Sequence, residues 1–133
     1  MKQFLLSFLL FFVFFLFPSA CSAKSYTIDK ADINIIVSSD GSARISEKRT
    51  YTFSGHFENG WWATGLKKAC SGTKCDKLTI KNIELREEDT PIPFTQSFEN
   101  NQLVVRWQYQ ATNETKSFTV SYTVQNMVNN YLD

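Results

Sequence analysis

The chain has 133 residues, with 14 basic and 13 acidic side chains, one histidine, three cysteines, 43% hydrophobic and 15% aromatic residues, and only five glycines and three prolines. That near-neutral balance gives no basic footprint for nucleic acid or an anionic membrane surface, and so rich an apolar content argues against disorder. The length supports one core and hence one domain.

Residues 1–23 have the layout of a secretory signal peptide: Lys2, an apolar run from Phe4 to Phe17, and the small, turn-prone Pro18-Ser19-Ala20-Cys21-Ser22-Ala23. The apolar run is shorter than the roughly 20 residues that cross a bilayer as a helix. Cleavage after Ala23 is the expectation. Lipidation at Cys21 is the rival reading, weakened because Pro18 stands where a lipoprotein signal carries an aliphatic residue. Cleavage removes Lys2 and no acid, leaving the mature domain, 24–133, with 13 bases against 13 acids.

In that domain Ser25 to Val37 reads as a strand, with Ala31, Ile33, Ile35 and Val37 in phase. The Asp40-Gly41 step predicts a hairpin into a second strand from Ala43 onward. Ala43, Ile45, Tyr51 and Phe53 share a parity with Glu47 and Arg49. A bulge near Lys48 would turn the two charges outward, and this is the expected solution because buried charges are rare unless paired. The alternative is that Glu47 and Arg49 sit inward as a polar pair.

Ser54 to Cys75 holds four glycines and reads as a long irregular stretch. Within it Trp61 and Trp62 are candidate contacts for a protein or glycan partner, or plugs for the open end of the fold. Cys70 and Cys75 make an even pair for an oxidising compartment. Their disulfide would close a small loop, contributing about 2 kcal/mol in the chain-entropy picture. A zinc site of Cys70, Cys75 and His56 is a ligand short, so no metal is expected.

Leu78, Ile80, Ile83 and Leu85 share one face only if a bulge falls at Lys81-Asn82. Glu87-Glu88-Asp89 is a turn, and Pro91 and Pro93 confine Ile92 to Phe98 to an edge strand. Gln102 to Gln125 carries the clearest signal. Leu103, Val105, Trp107 and Tyr109 point one way against Gln102, Arg106, Gln108 and Gln110, then Phe118, Val120, Tyr122 and Val124 alternate with polar residues after a short polar loop. The expectation is an antiparallel hairpin with one apolar face. Asn113-Glu114-Thr115 matches a glycosylation acceptor and reads as turn chemistry. The whole predicts an all-β antiparallel sandwich of the immunoglobulin type with about seven strands.

Several phrases together resemble the extracytoplasmic N-terminal region of an uncharacterised prokaryotic family of predicted membrane proteins, domain of unknown function twenty-two hundred and seven. They are Asp40-Gly41-Ser42 followed by Glu47; Thr50-Tyr51-Thr52-Phe53-Ser54-Gly55-His56-Phe57; Trp107-Gln108-Tyr109-Gln110-Ala111-Thr112-Asn113; Phe118-Thr119-Val120-Ser121-Tyr122; and Val128, Tyr131 and Asp133. The resemblance implies a β-rich ectodomain normally followed by a transmembrane helix. A chain stopping at Asp133 then reads as a truncated product or a fragment whose membrane attachment lies downstream. The family brings no catalytic residues.

No nucleophile elbow, phosphate loop, dinucleotide fingerprint or metalloprotease pair is present. Neither catalytic residues nor cofactors are expected. The expectation is a non-enzymatic, exported domain for binding, sensing or assembly in the cell envelope, at the outer face of the cytoplasmic membrane or in the periplasm, with a protein or glycan partner. The alternative is a secreted hydrolase, or a glycan-binding accessory to one, working through His56 or the tryptophans. A third reading has Ile92 to Phe98 or Val128 to Asp133 pairing with another chain.

Overall fold

The computed structural model describes residues 23–65, 69–71, 74–76, 78–100 and 102–128, with backbone alone at 69–71 and 74–76. The signal-peptide reading falls on residues outside that set. Ten strands follow in chain order: β1 (Ser25–Val37), β2 (Ala43–Ser54), β3 (His56–Gly65), β4 (Ala69–Ser71), β5 (Lys74–Asp76), β6 (Thr79–Glu87), β7 (Thr90–Pro91), β8 (Phe94–Glu99), β9 (Gln102–Thr112) and β10 (Thr115–Gln125). Eight of them form an antiparallel sandwich: a five-stranded sheet in the order β1-β2-β10-β6-β7 and a three-stranded sheet in the order β3-β9-β8. The all-β sandwich expected from the sequence is the fold observed.

Its construction differs from the sequence reading at three points. First, β9 and β10 do not pair; they lie in opposite sheets. The alternation correctly marks their inward residues, but the two apolar rows face each other across the core. The chain crosses between sheets at Gly55, from β2 to β3, and at Asn113, from β9 to β10. Because β2 pairs with β10 and β3 with β9, the sandwich is one bent two-stranded ribbon with further strands added at its sides. Both crossings use positive φ, +94° at Gly55 and +51° at Asn113, where glycine and asparagine are best tolerated. They are tied together: Gly55 N–H donates to Asn113 Oδ1 at 2.8 Å, and Phe53 N–H to the Glu114 carbonyl at 2.9 Å.

Second, much of the stretch read as irregular is β3, so Trp61 and Trp62 stand on a strand, not a loop. A bulge between Phe57 and Asn59 hides the alternation. Gly60, which looks like a loop signal, is a packing requirement: a Cβ there would lie 2.3 Å from Trp107 Cε2 and 2.7 Å from its Nε1.

Third, β2 has no bulge near Lys48; its register with β10 is unbroken from Ala43 to Thr52. Glu47 and Arg49 therefore point inward. The bulge lies across the ladder in β1, between Ile28 and Lys30. It changes parity so that Tyr26 and Ile28 share a face with Ala31, Ile33, Ile35 and Val37. This is the inner face, since these residues pair with the inward Phe53, Tyr51, Arg49, Glu47, Ile45 and Ala43. Yet the whole of β1 is exposed, with Ile33 at 61%.

The expected bulge in β6 is present: Asn82 has φ +53°, and the register with β10 shifts between Ser121 and Thr123. Leu78, Ile80, Ile83 and Leu85 accordingly all join the core, Leu85 at 2% exposure. β8 is an edge strand, as Pro91 and Pro93 required.

Gly60→Ala is expected to cost about 1–3 kcal/mol in denaturant unfolding, because the new methyl would overlap the buried Trp107 indole and the ring or strand must shift to admit it. Gly65→Ala, with no atom of the described residues beyond its chain neighbours within 4 Å of the added Cβ, is the matched control and should change stability little.

Candidate functional site

Three groups of side chains stand out once the strands are in register. The first surrounds Glu47. Its side chain is 12% exposed and takes three hydrogen bonds, from Arg49 Nη2 at 3.0 Å, Trp62 Nε1 at 3.2 Å and the Tyr122 hydroxyl at 2.8 Å. A buried carboxylate is tolerable when a cation and further donors satisfy it, and here both sheets supply them. Trp62, 4% exposed, also packs its ring 5.0 Å from that of Tyr122. It is a core residue, the plug among the two roles open to it. Burial first, then the bond donated to the carboxylate, pushes the Tyr122 phenol well above its ordinary pKa. This is a structural node between the sheets.

The second group lies on the outer face of the three-stranded sheet. Trp61 is 70% exposed and pairs across the ladder with Arg106, which pairs in turn with Thr95. Arg106 is fixed by a two-point contact with Glu99, Nη1 to Oε1 at 2.7 Å and Nη2 to Oε2 at 2.9 Å, and by Ser97 Oγ at 2.9 Å. The hydrogen bonds from Arg106, then Ser97, hold the Glu99 carboxyl down to about 2, so it stays ionised through the physiological range. A shallow depression of about 300 Å³ runs between Trp61, Ala63 and Val104 on its apolar side and Glu99, Asn100, Gln102 and Arg106 on its polar side. Sequence alternation put Arg106 outward, but its place beside Trp61 follows only from the β3–β9 register.

The third group is a cleft of about 410 Å³ between β1 and β3, open where no described residue covers β1. Its walls are mostly aromatic. Near the corner Phe53 lies 5.0 Å from Phe57 and 5.4 Å from Tyr109, and Tyr109 lies 4.9 Å from Phe118. Burial pushes the Tyr109 phenol up to about 12. Arg49 lines the cleft, as does Trp107, whose buried Nε1 has no hydrogen-bond acceptor among the described residues.

His56 stands apart from all three. Its Nδ1 lies 2.8 Å from Thr112 Oγ1 and its Nε2 2.9 Å from Glu58 Oε1. Hydroxyl, imidazole and carboxylate thus come in the order of a hydrolytic triad. All three side chains are exposed on neighbouring strands, and no pocket described here includes His56 or Thr112. Cys70 and Cys75 are direct cross-strand partners in the β4–β5 hairpin.

Residues 27–133 match the family model described as the N-terminal domain of a predicted membrane protein, DUF2207. The chain belongs to this family. No curated protein matches it. The resemblance seen in the sequence is thereby established over nearly the whole described domain, including both sheet-crossing phrases and the Glu47 node. Among the described residues no helix is long and apolar enough to cross a membrane.

The Glu47 node yields a test. Glu47→Ala leaves Arg49, Trp62 and Tyr122 without their acceptor and should cost about 3–5 kcal/mol in denaturant unfolding. Tyr122→Phe removes one donor and leaves the carboxylate two others, so it should cost about 1.5–3 kcal/mol.

Proposed function

We propose that this DUF2207 domain is an exported, non-enzymatic binding module of the cell envelope, and that it holds a glycan on the outer face of its three-stranded sheet. The observation that carries the reading is Trp61. A 70% exposed indole on a rigid strand, beside an arginine locked by two hydrogen bonds to Glu99, has no role in the core. Sugar rings offer an apolar face of C–H groups edged by hydroxyls. The depression at Trp61 offers the complement, with indole, Ala63 and Val104 on one side and amide, guanidinium and carboxylate groups on the other. Because the sheet already holds these groups in place, little side-chain entropy is lost on binding.

The test is calorimetric titration of the mature domain with a panel of soluble envelope oligosaccharides. At least one should bind, and Trp61→Ala should weaken it about tenfold or more while leaving denaturant stability within about 0.5 kcal/mol. Equal binding by Trp61→Ala and the parent, or no binding by the parent to any member, would overturn the reading.

Export also makes Cys70 and Cys75 a disulfide in this proposal, a reading supported by their cross-strand register. Protein recovered from the envelope should gain the mass of two hydrogens on reduction; an unchanged mass would mean free thiols.

A further inference from the structure

We propose that the aromatic cleft between β1 and β3 is a second binding site, taking a ligand that joins an aromatic ring to a carboxylate. This goes beyond the outer-face reading: it concerns the space between the sheets, whose lining shares only Trp61 and Ala63 with the outer depression.

The shape of the cleft comes first. Its volume of about 410 Å³ falls in the range of small-molecule sites, and among the described residues no strand of the three-stranded sheet lies opposite β1. Tyr26 and Ile28 on β1 form one lip, at 57% and 51% exposure, and β3 from Phe57 to Ala63 forms the other. Tyr26 meets Tyr51 at 5.9 Å and 61° and Phe57 at 6.1 Å and 85°. Rings set at such angles offer both faces and edges, so one further ring entering between them gains offset and edge-to-face contacts together. An aliphatic guest would gain only the burial.

The polar groups select what the ring must carry. Arg49 lines the cleft, and no carboxylate does. Glu47 lies off the cleft wall, and its oxygens are taken by Arg49 Nη2, Trp62 and Tyr122. The bond recorded for the Arg49 guanidinium uses one nitrogen of three, and its side chain is 36% exposed. Asn59 adds an amide at the rim. A wall with this excess of fixed donors is complemented by a ligand bringing acceptors, and a carboxylate matches a guanidinium best. Aromatic carboxylates come from two sources, a free aromatic acid or the C-terminus of a polypeptide ending in an aromatic residue.

The experiment compares acids with neutral isosteres by calorimetry on the mature domain. N-acetylphenylalanine against its amide represents a polypeptide end; 2-naphthoate against 2-naphthalenemethanol represents a free acid. At least one acid should bind about tenfold more tightly than its neutral partner. Binding by the first pair alone assigns the site to a chain terminus, by the second alone to a free acid. Arg49→Lys should keep the preference for acid and Arg49→Met should erase it. Tyr26→Ala, which leaves the Glu47 ion pair untouched, should weaken acid binding severalfold in a folded protein. Neutral ligands binding as well as acids, a Tyr26→Ala variant binding as tightly as the parent, or no binding by either acid at about 10 mM would each overturn the proposal. Should Arg49→Met fail to fold, the isostere comparison and Tyr26→Ala still decide it.

Discussion

Two bends, a few ångströms apart and locked to each other, set the geometry of everything else in this domain. A two-stranded antiparallel ribbon long enough to run straight from Ala43 to Gly65 would expose one apolar face along its full length. Folding it at Gly55 and Asn113 presses that face against itself. The bend frees backbone groups from the ladder, and Asn113 replaces the loss by accepting the Gly55 N–H on its own side chain. Inside the corner, Phe53, Phe57, Tyr109 and Phe118 fill the space that the turning strands open. The aromatic character of the cleft follows directly, because the cleft is the unfilled continuation of that corner toward β1.

The same fold-back explains how a glutamate side chain is accommodated between the sheets. Glu47 on β2 lies beneath Trp62 on β3 and beside Tyr122 on β10, and the three meet only because β3 returns over β2. Replacing solvent, the two sheets present one cation and two neutral donors to a single carboxylate. Such an arrangement adds specificity more than stability, since a shifted register would strand the charge without partners. The one-residue change of phase that β strands permit is thereby made expensive here.

Much of this was legible in the residues. Alternation named eight inward side chains of β9 and β10 and missed Ala111, a core residue of β9 read as part of the loop; the slip at Lys81-Asn82 announced a bulge, and Asp40-Gly41 placed the first hairpin. What alternation cannot carry is the identity of the opposing strand: a row of inward residues looks the same whether its neighbour in sequence lies beside it or across from it. The two-residue link at Asn113-Glu114 has the length of a hairpin turn, and only the pairing of β2 with β10 and β3 with β9 makes it a corner. Gly60 misled for a related reason. Its meaning lies in Trp107, 47 positions away, and a glycine that makes room for an indole is indistinguishable in sequence from one that frees a loop. The Trp61 platform was half legible: both Trp61 and an outward Arg106 were identified, but not that they are neighbours. Glu47 and Arg49 were placed on the inward parity, yet the rarity of buried charge pointed to a bulge that the structure puts in β1 instead.

That displaced bulge bears on how the open side of the sandwich is used. An exposed strand of 13 residues invites pairing by another chain along its free edge. At the bulge, Asp29 turns outward, where hydrogen bonds from Thr52 and then Thr27 hold its carboxyl below the usual range and so keep it charged. Lys30 and Asp32 add an ion pair 2.8 Å long one step further on. Bulge and charges together break the regular ladder that an incoming strand would need, while the parity change they cause keeps Tyr26 and Ile28 facing inward. The edge of β1 is therefore guarded and its inner face is not. The ligand proposed for the cleft would reach these side chains from between the sheets, through the mouth of the cleft, and would meet aromatic rings and Arg49 before any free backbone.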